Sequence, residues 1–252
     1  MKPIYHLITI VLLSSCASSH EKKAYPDPYA HIQDDQVKQI LKQAIDKAGG
    51  YETWTKIKSI KYTKKNQLFL EDGTLEVDNV QRHEYIMQPQ FEATITWDDS
   101  LGNHRIEYGP NKVQRLLNDS ITGSDPTETV MSAMYVLGMP FKLLDAGTNL
   151  SFDGVVKMDG KQANSIKATY NPAENENHST QDAWWYYFDK DNGLFMGAMV
   201  YHAPTYAYIQ NLEFHENLPV KLHAHRKSYR SDSARNIQFL RAEFWYSDYT
   251  VE

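Results

Sequence analysis

From residue 36 to residue 252 apolar and polar positions mostly alternate with a period of two. The pattern changes to a helical spacing in two places. In the first, Val37, Ile40, Leu41, Ala44, Ile45 and Ala48 form one stripe, with lysines and glutamines opposite. Gly49-Gly50 then supplies a left-handed stop. Such a helix covers a core; it does not form one alone. Residues 60–70 read as a strand, Asp72-Gly73 as a hairpin turn, and residues 74–87 as the returning strand, ended by Gln88-Pro89. Phe91, Ala93, Ile95 and Trp97 alternate with Glu92, Thr94, Thr96 and Asp98, the cleanest half-buried strand in the chain. Two shorter strands, 104–108 and 112–117, flank Gly109-Pro110.

The second helical place is residues 127–137. Asp125-Pro126-Thr127-Glu128 reads as a cap, a proline at the first helical position and an acid at the third, and Gly138 with Pro140 ends the segment. Apolar groups occur nearly all round this helix, so it should be buried on more than one side. Strands resume at 151–158, 162–170, 183–189, 194–202, 206–214, 220–229 and 237–249, with a polar loop at 171–181. No repeat or linker divides residues 36–252, which read as one domain. Sequential hairpins imply antiparallel pairing, and about eleven strands in one sheet must curl, close or be covered. The expected class is therefore mainly β (α+β): a single curved antiparallel sheet with an N-terminal helix and an inserted helix.

Composition changes this picture in one respect. Of 252 residues 41% are hydrophobic, but the aromatics stand out, with 17 Tyr, 9 Phe and 5 Trp. They concentrate at Ala183-Trp184-Trp185-Tyr186-Tyr187-Phe188, which is apolar on both strand faces and so needs cover on both. Methionines recur nearby in the pattern, at Met131, Met134, Met139, Met196 and Met199, and flexible Met surfaces suit ligands of variable shape. The formal charge of −6 provides no basic stripe for nucleic acid.

Motifs for chemistry are largely missing. The nucleophile elbow, the phosphate loop, the dinucleotide loop and the H-E-x-x-H zinc motif are absent, and no cofactor is implied. The best catalytic pair is His223 and His225, which at i and i+2 on a strand share a face and with His202 or His215 could hold a metal. Lys221 and Lys227 share that face, which makes it read as a solvated row instead.

The N-terminus reads as an address. Lys2 precedes a mostly apolar run over residues 4–13, about 15 Å as a helix and half of a hydrocarbon core of roughly 30 Å. The run ends in Leu13-Ser14-Ser15-Cys16, and Cys16 is the single cysteine. This resembles the bacterial lipoprotein box, which implies removal of residues 1–15 and lipidation of Cys16. Residues 17–35, rich in Ser, Lys, Glu, Asp and Pro, read as a tether spanning on the order of 20–25 Å. The residues after Cys16 include no directly following aspartate, which by resemblance implies the outer membrane, facing the periplasm.

The order of elements resembles the lipoprotein-carrier superfamily of LolA- and LolB-like proteins, and within it a family of bacterial lipoproteins of unassigned function. Residues 44–50 with Trp54 and Ile60, and residues 139–145 followed by Phe152-Asp153-Gly154, carry the more specific likeness. The resemblance implies an unclosed β-barrel with helices plugging an apolar cavity. Val130, Met131, Met134, Leu137 and Phe141 would line it from the inserted helix, and Trp97, Trp185 and Tyr187 from the sheet. Three readings follow. One is a membrane-anchored, non-catalytic binder of a lipid or apolar small molecule. Another is an interaction lipoprotein with a filled barrel and a protein partner the sequence does not name. The third is a hydrolase or metal enzyme using His223 and His225.

Overall fold

The computed structural model describes residues 27–171, 173 and 182–252. The expected signal segment, Cys16, the first part of the expected tether and most of the polar loop 171–181 lie outside the described residues. The last part of the tether is not free chain. Tyr29 and Ile32 are only 8% and 3% exposed and belong to the main core. Two isolated apolar residues in a polar run carry no periodicity, so the pattern missed them.

Helix α1 spans Asp35–Lys47. Asp34 caps it: one carboxylate oxygen accepts from the N–H groups of Gln36 (2.9 Å) and Val37 (3.2 Å). The other oxygen accepts from the N–H of Phe152 (3.3 Å), tying the helix to a strand far away in sequence. Val37, Ile40, Leu41, Ala44 and Ile45 are buried, so the predicted stripe is the packing face. Each large aliphatic side chain buried there contributes roughly 1.5–3 kcal/mol. Gly49 turns the chain at φ +111°, and a Cβ there would stand 2.5 Å from the carbonyl oxygen of Pro219. Only glycine supplies both the turn and the close approach. A short helix that the pattern did not predict, α2 (Tyr51–Lys56), then places Trp54 in the core.

The first meander runs through β1 (Ser59–Phe69), β2 (Leu75–Ile86), β3 (Glu92–Asp99), β4 (Gly102–Gly109), β5 (Lys112–Leu117) and β6 (Ser120–Ile121). Helix α3 (Thr127–Leu137) and a 3-10 turn (Phe141–Leu144) follow. The second meander is β7 (Thr148–Met158), β8 (Lys161–Tyr170), β9 (Ala183–Asp189), β10 (Phe195–His202), β11 (Thr205–Phe214), β12 (His223–Ser231) and β13 (Ile237–Val251). Strand β13 returns to the middle and pairs antiparallel with β1, Ile60 opposite Val251 and Gln67 opposite Glu243. The sheet order is β6-β5-β4-β3-β2-β1-β13-β12-β11-β10-β9-β8-β7, antiparallel throughout. The edge strands β6 and β7 do not pair with each other, so the sheet is not closed. Thirteen strands appear among the described residues, against about eleven expected. The two-residue β6 is too short to show an alternation.

This order means that α3 links the two edges. It lies over the inner face and has two sides. Val130, Met134, Tyr135 and Leu137 are buried in the main core. The hydroxyl of Tyr135 lies 2.6 Å from that of Tyr170 on β8 and 2.7 Å from that of Tyr186 on β9, and those two are 2.9 Å apart. The three phenols thus form a buried ring of hydrogen bonds that fixes α3 to the β8–β9 side. Past the helix, Phe141 stacks on Trp54 at 4.9 Å and an interplanar angle of 3°. The two stretches with the more specific family likeness therefore meet as one structural contact.

Replacing Asp34 with Ala should destabilise the fold by about 0.5–2 kcal/mol at neutral pH. Hydrogen bonds from backbone N–H groups, Val37 first, hold this carboxyl below its ordinary value. Its contribution is therefore present above the unfolded aspartate value of about 3.9 and is lost as pH falls through the lower folded value. Urea denaturation of both proteins at pH 7 and pH 3 checks this, with a gap at pH 7 that narrows at pH 3.

Candidate ligand cavity

The inner face divides into a filled half and an open half. Over β7–β10 it carries Phe152, Tyr170, Trp184, Tyr186, Phe188 and Phe195, which pack with α1 and α3 in the main core. Over β1–β5 and β11–β13 a cavity of about 590 Å³ opens beneath α3. This lies within the roughly 300–1,000 Å³ common for small-molecule sites. Its apolar walls are Leu68, Val77, Ile95, Trp97, Ile106, Ile209 and Phe244. Trp97 is held flat by His104 on β4, ring to ring at 4.6 Å. The helix roofs the space with Thr129, Ser132, Ala133 and Val136, spaced i, i+3, i+4, i+7 on the side turned away from its core residues.

The floor is polar. On β1 and β2, Asn66 donates to Asn79 at 2.9 Å. His83 stacks on Tyr62 at 4.7 Å, with its Nδ1 3.0 Å from the Tyr85 hydroxyl and its Nε2 3.0 Å from Oε1 of Gln81. Burial first, and the Lys64 charge second, push His83 down to about 3. The ring is therefore neutral. Because the Gln81 oxygen can only accept, Nε2 carries the proton and Nδ1 accepts from Tyr85. Lys64 on β1 faces the same space, its ammonium 4.4 Å from the Phe244 ring centre and 5.8 Å from that of Tyr246. Burial pushes this lysine down from its ordinary value. Arg115 on β5 and Arg226 on β12 complete the cationic lining.

Of the eight residues read from sequence as cavity lining, Trp97 lines the cavity and seven do not. Val130, Met134, Leu137 and Phe141 are core residues, and Met131 is half-buried outside the lining. The helix is apolar nearly all round, so sequence does not choose its cavity side; the small residues took it because the bulky ones fill the aromatic core. Trp185 and Tyr187 lie on the other sheet face, in a second cluster with Ala163, Met199 and Tyr208. There Trp185 carries the Arg235 guanidinium at 4.4 Å. A strand aromatic on both faces offers no alternation to set its register, and the inward residues are Trp184, Tyr186 and Phe188. The methionines divide likewise: Met134 and Met139 join the core, Met196 and Met199 the outer cluster.

His223 and His225 do not share a face. Strands β11 and β12 slip in register between Asn211 and Phe214, and the bulge turns His223 inward. There it is buried, with Nε2 3.2 Å from the carbonyl oxygen of Val136 at the end of α3. His225 points outward, 2.7 Å from Glu243 and stacked on Trp245 at 5.3 Å. No group of three or more His, Cys, Asp or Glu suited to a metal occurs among the described residues. A smaller groove of about 280 Å³ at the β3–β4–β5 rim is lined by Glu84, Glu92 and Glu107, the last paired with Lys112 at 2.5 Å.

Several solved structures share this architecture. A LolA superfamily protein from Nitrosomonas europaea matches with a TM-score of 0.54 at 9% identity, over 85% of this chain and 93% of that one. The chain has a LolA-like fold. A DUF1329 family protein from Desulfovibrio piger matches with a TM-score of 0.50 at 11% identity, over 86% and 93%. A putative outer membrane lipoprotein-sorting protein domain from Vibrio parahaemolyticus matches with a TM-score of 0.50 at 8% identity, over 86% and 91%. No family model matches the sequence, and no curated protein matches it. In this LolA-like fold the helix joining the two sheet edges roofs the cavity. The lining residues missed in the sequence reading are mostly polar: Lys64, Asn66, Asn79, Gln81 and His83. A signal for them existed, since alternation from Ile60 and Tyr62 puts Lys64, Asn66 and Leu68 on the inward side.

Burial also holds His223 well below its ordinary value. Both His83 and His223 are neutral when folded and near 6.5 when unfolded, so the unfolded chain binds protons the folded chain refuses. Their contribution is full above about pH 6.5 and is lost as pH falls. The urea midpoint should drop between pH 7 and pH 5, and His83→Gln should flatten that slope. An unchanged slope in the variant would contradict the assignment of His83 as a neutral buried group.

Proposed function

We propose that this protein is a non-catalytic lipoprotein of the bacterial cell envelope that holds a lipid or another apolar ligand in the cavity beneath α3. The supporting observation is the cavity itself: about 590 Å³, walled mostly by aliphatic and aromatic groups, in a LolA-like fold. Apolar burial at roughly 25 cal/mol per Å² would supply the affinity, and the reading requires no reaction. The similarity to the Vibrio parahaemolyticus outer membrane lipoprotein-sorting protein domain supports this reading. Lipidation at Cys16 would hold the domain at a membrane, in this reading the periplasmic side of the outer membrane. Several acyl chains anchor stably where one does not.

Native mass spectrometry of a chain starting at residue 16 with Cys16→Ser, followed by organic extraction, tests the proposal. A stoichiometric lipid or acyl compound is expected. Ala133→Trp places a large ring in the cavity from the roof without touching the core side of α3. It should weaken lipid binding at least tenfold, about 1.4 kcal/mol, with the melting temperature nearly unchanged. A clean apo mass that stays clean after incubation with lipid would count against the binding reading and favour an interaction lipoprotein.

A further inference from the structure

We propose that the cavity ligand is an anionic amphiphile whose oxyanion head, a carboxylate or phosphate ester, sits inside the cavity against Arg226 and Lys64. This deepens the proposed function and rests on it. Three cations, Lys64, Arg115 and Arg226, line the space, and among the described residues no Asp or Glu lines it. Arg226 is 3% exposed, and its side chain makes no hydrogen bond or ion pair with any described residue. Its Nε is buried without a partner. Lys64 has ring contacts but likewise no ion pair. Among the described residues the only hydrogen bond of the Arg115 side chain is a long one to the Thr129 hydroxyl, 3.5 Å, and its Nε has no partner there.

Uncompensated buried cations are costly, and buried charges are ordinarily paired. Even half-exposed arginines of this chain meet carboxylates: Arg241 meets Glu76 at 2.7 Å and Arg105 meets Asp119 at 2.8 Å. The cavity departs from this, with the buried Arg226 and the half-buried Lys64 and Arg115 facing one space and no carboxylate lining it among the described residues. The geometry gathers two of them. Arg226 stands opposite Phe244, and Lys64 opposite Tyr246, on either side of β13. A guanidinium offers a planar fork of donors that fits a carboxylate or phosphate, and Lys64 adds a point charge beside it. Ser228, on the same side of β12 as Arg226, adds a hydroxyl to the lining. Beyond this pair, and apart from Arg115 and the polar floor, the walls are Leu68, Val77, Ile95, Trp97 and Ile106, which suit an aliphatic chain. An inorganic anion would leave those walls unused, and a neutral lipid would leave the cations unpaired.

The test is displacement of an apolar fluorophore from the mature chain with Cys16→Ser, stripped of lipid, by laurate, lauryl phosphate and lauryl alcohol. Laurate or lauryl phosphate should bind at least tenfold more tightly than the alcohol, and their order distinguishes a fatty-acid head from a phosphate head. Arg226→Gln should abolish the preference while alcohol binding persists. The melting temperature of this apo variant should hold or rise, because an unpaired charge leaves the interior. Lys64→Gln provides the same readout if Arg226→Gln fails to fold. Equal binding of alcohol and anions would overturn the anionic head and leave the apolar cavity reading intact. Binding of none of the three would overturn both. A preference unaltered in both variants would also overturn the assignment to these residues.

Discussion

The pairing of β1 with β13 is the constraint from which the rest of the molecule follows. The chain starts its sheet in the middle, walks outward to β6, and must restart at the far edge so that β13 can return beside β1. Each meander is built from local antiparallel hairpins, which need little loop entropy to close. The one long-range join is β1 to β13, and it leaves β6 and β7 as edges that are consecutive strands in sequence. The segment between them has to cross the sheet. Helix α3 is that segment, so a roof over the inner face is a consequence of strand order.

What the roof encloses depends on the side chains beneath it. The β7–β10 half presents rings, and α3 answers with Tyr135, which joins the hydrogen-bonded ring with Tyr170 and Tyr186. That half is filled and anchors the helix. The other half presents asparagine, glutamine, histidine and lysine between aliphatic groups, and α3 answers with threonine, serine, alanine and valine. Short residues above and polar residues below do not meet, and the gap is the cavity. The helix end is held on this side too, by the contact between His223 and the carbonyl of Val136. Fixed at two places, α3 can roof an open space without collapsing into it.

The polar floor also distinguishes this cavity from an ordinary packing defect. Defects are small and lined by groups that have lost contacts. Here Asn66 with Asn79, and Gln81 with His83 and Tyr85, satisfy one another at 2.9–3.0 Å. The cations beside them do not. A network paired where it meets itself and unpaired where it meets the space is what the proposed anionic ligand would complete.

The sequence alone determined the main elements and their order. Period-two alternation, Asp72-Gly73, the stripe from Val37 to Ala48 and the capped segment Thr127–Leu137 are local signals, and local hydrogen bonding and turn geometry are enough to express them. A single antiparallel sheet with two covering helices was legible for that reason, while its remaining unclosed was implied only by the family resemblance. Which face a residue meets was legible only where one face is polar, as for Trp97, which is flanked by Thr96 and Asp98 and lies in the cavity lining. Trp185 and Tyr187 sit in a run aromatic on both faces, and Val130 and Met134 on a helix apolar nearly all round, so nothing local ranks one face above the other. Tertiary structure decided them, because α3 could satisfy the Tyr170–Tyr186 side only by turning its bulky residues there. His223 was misread for a related reason, since a bulge depends on the partner strand and leaves no mark in its own alternation. Only the folded sheet brings Lys64, Arg115 and Arg226 from three distant strands to one cavity, because their proximity comes from strand order and not from sequence spacing.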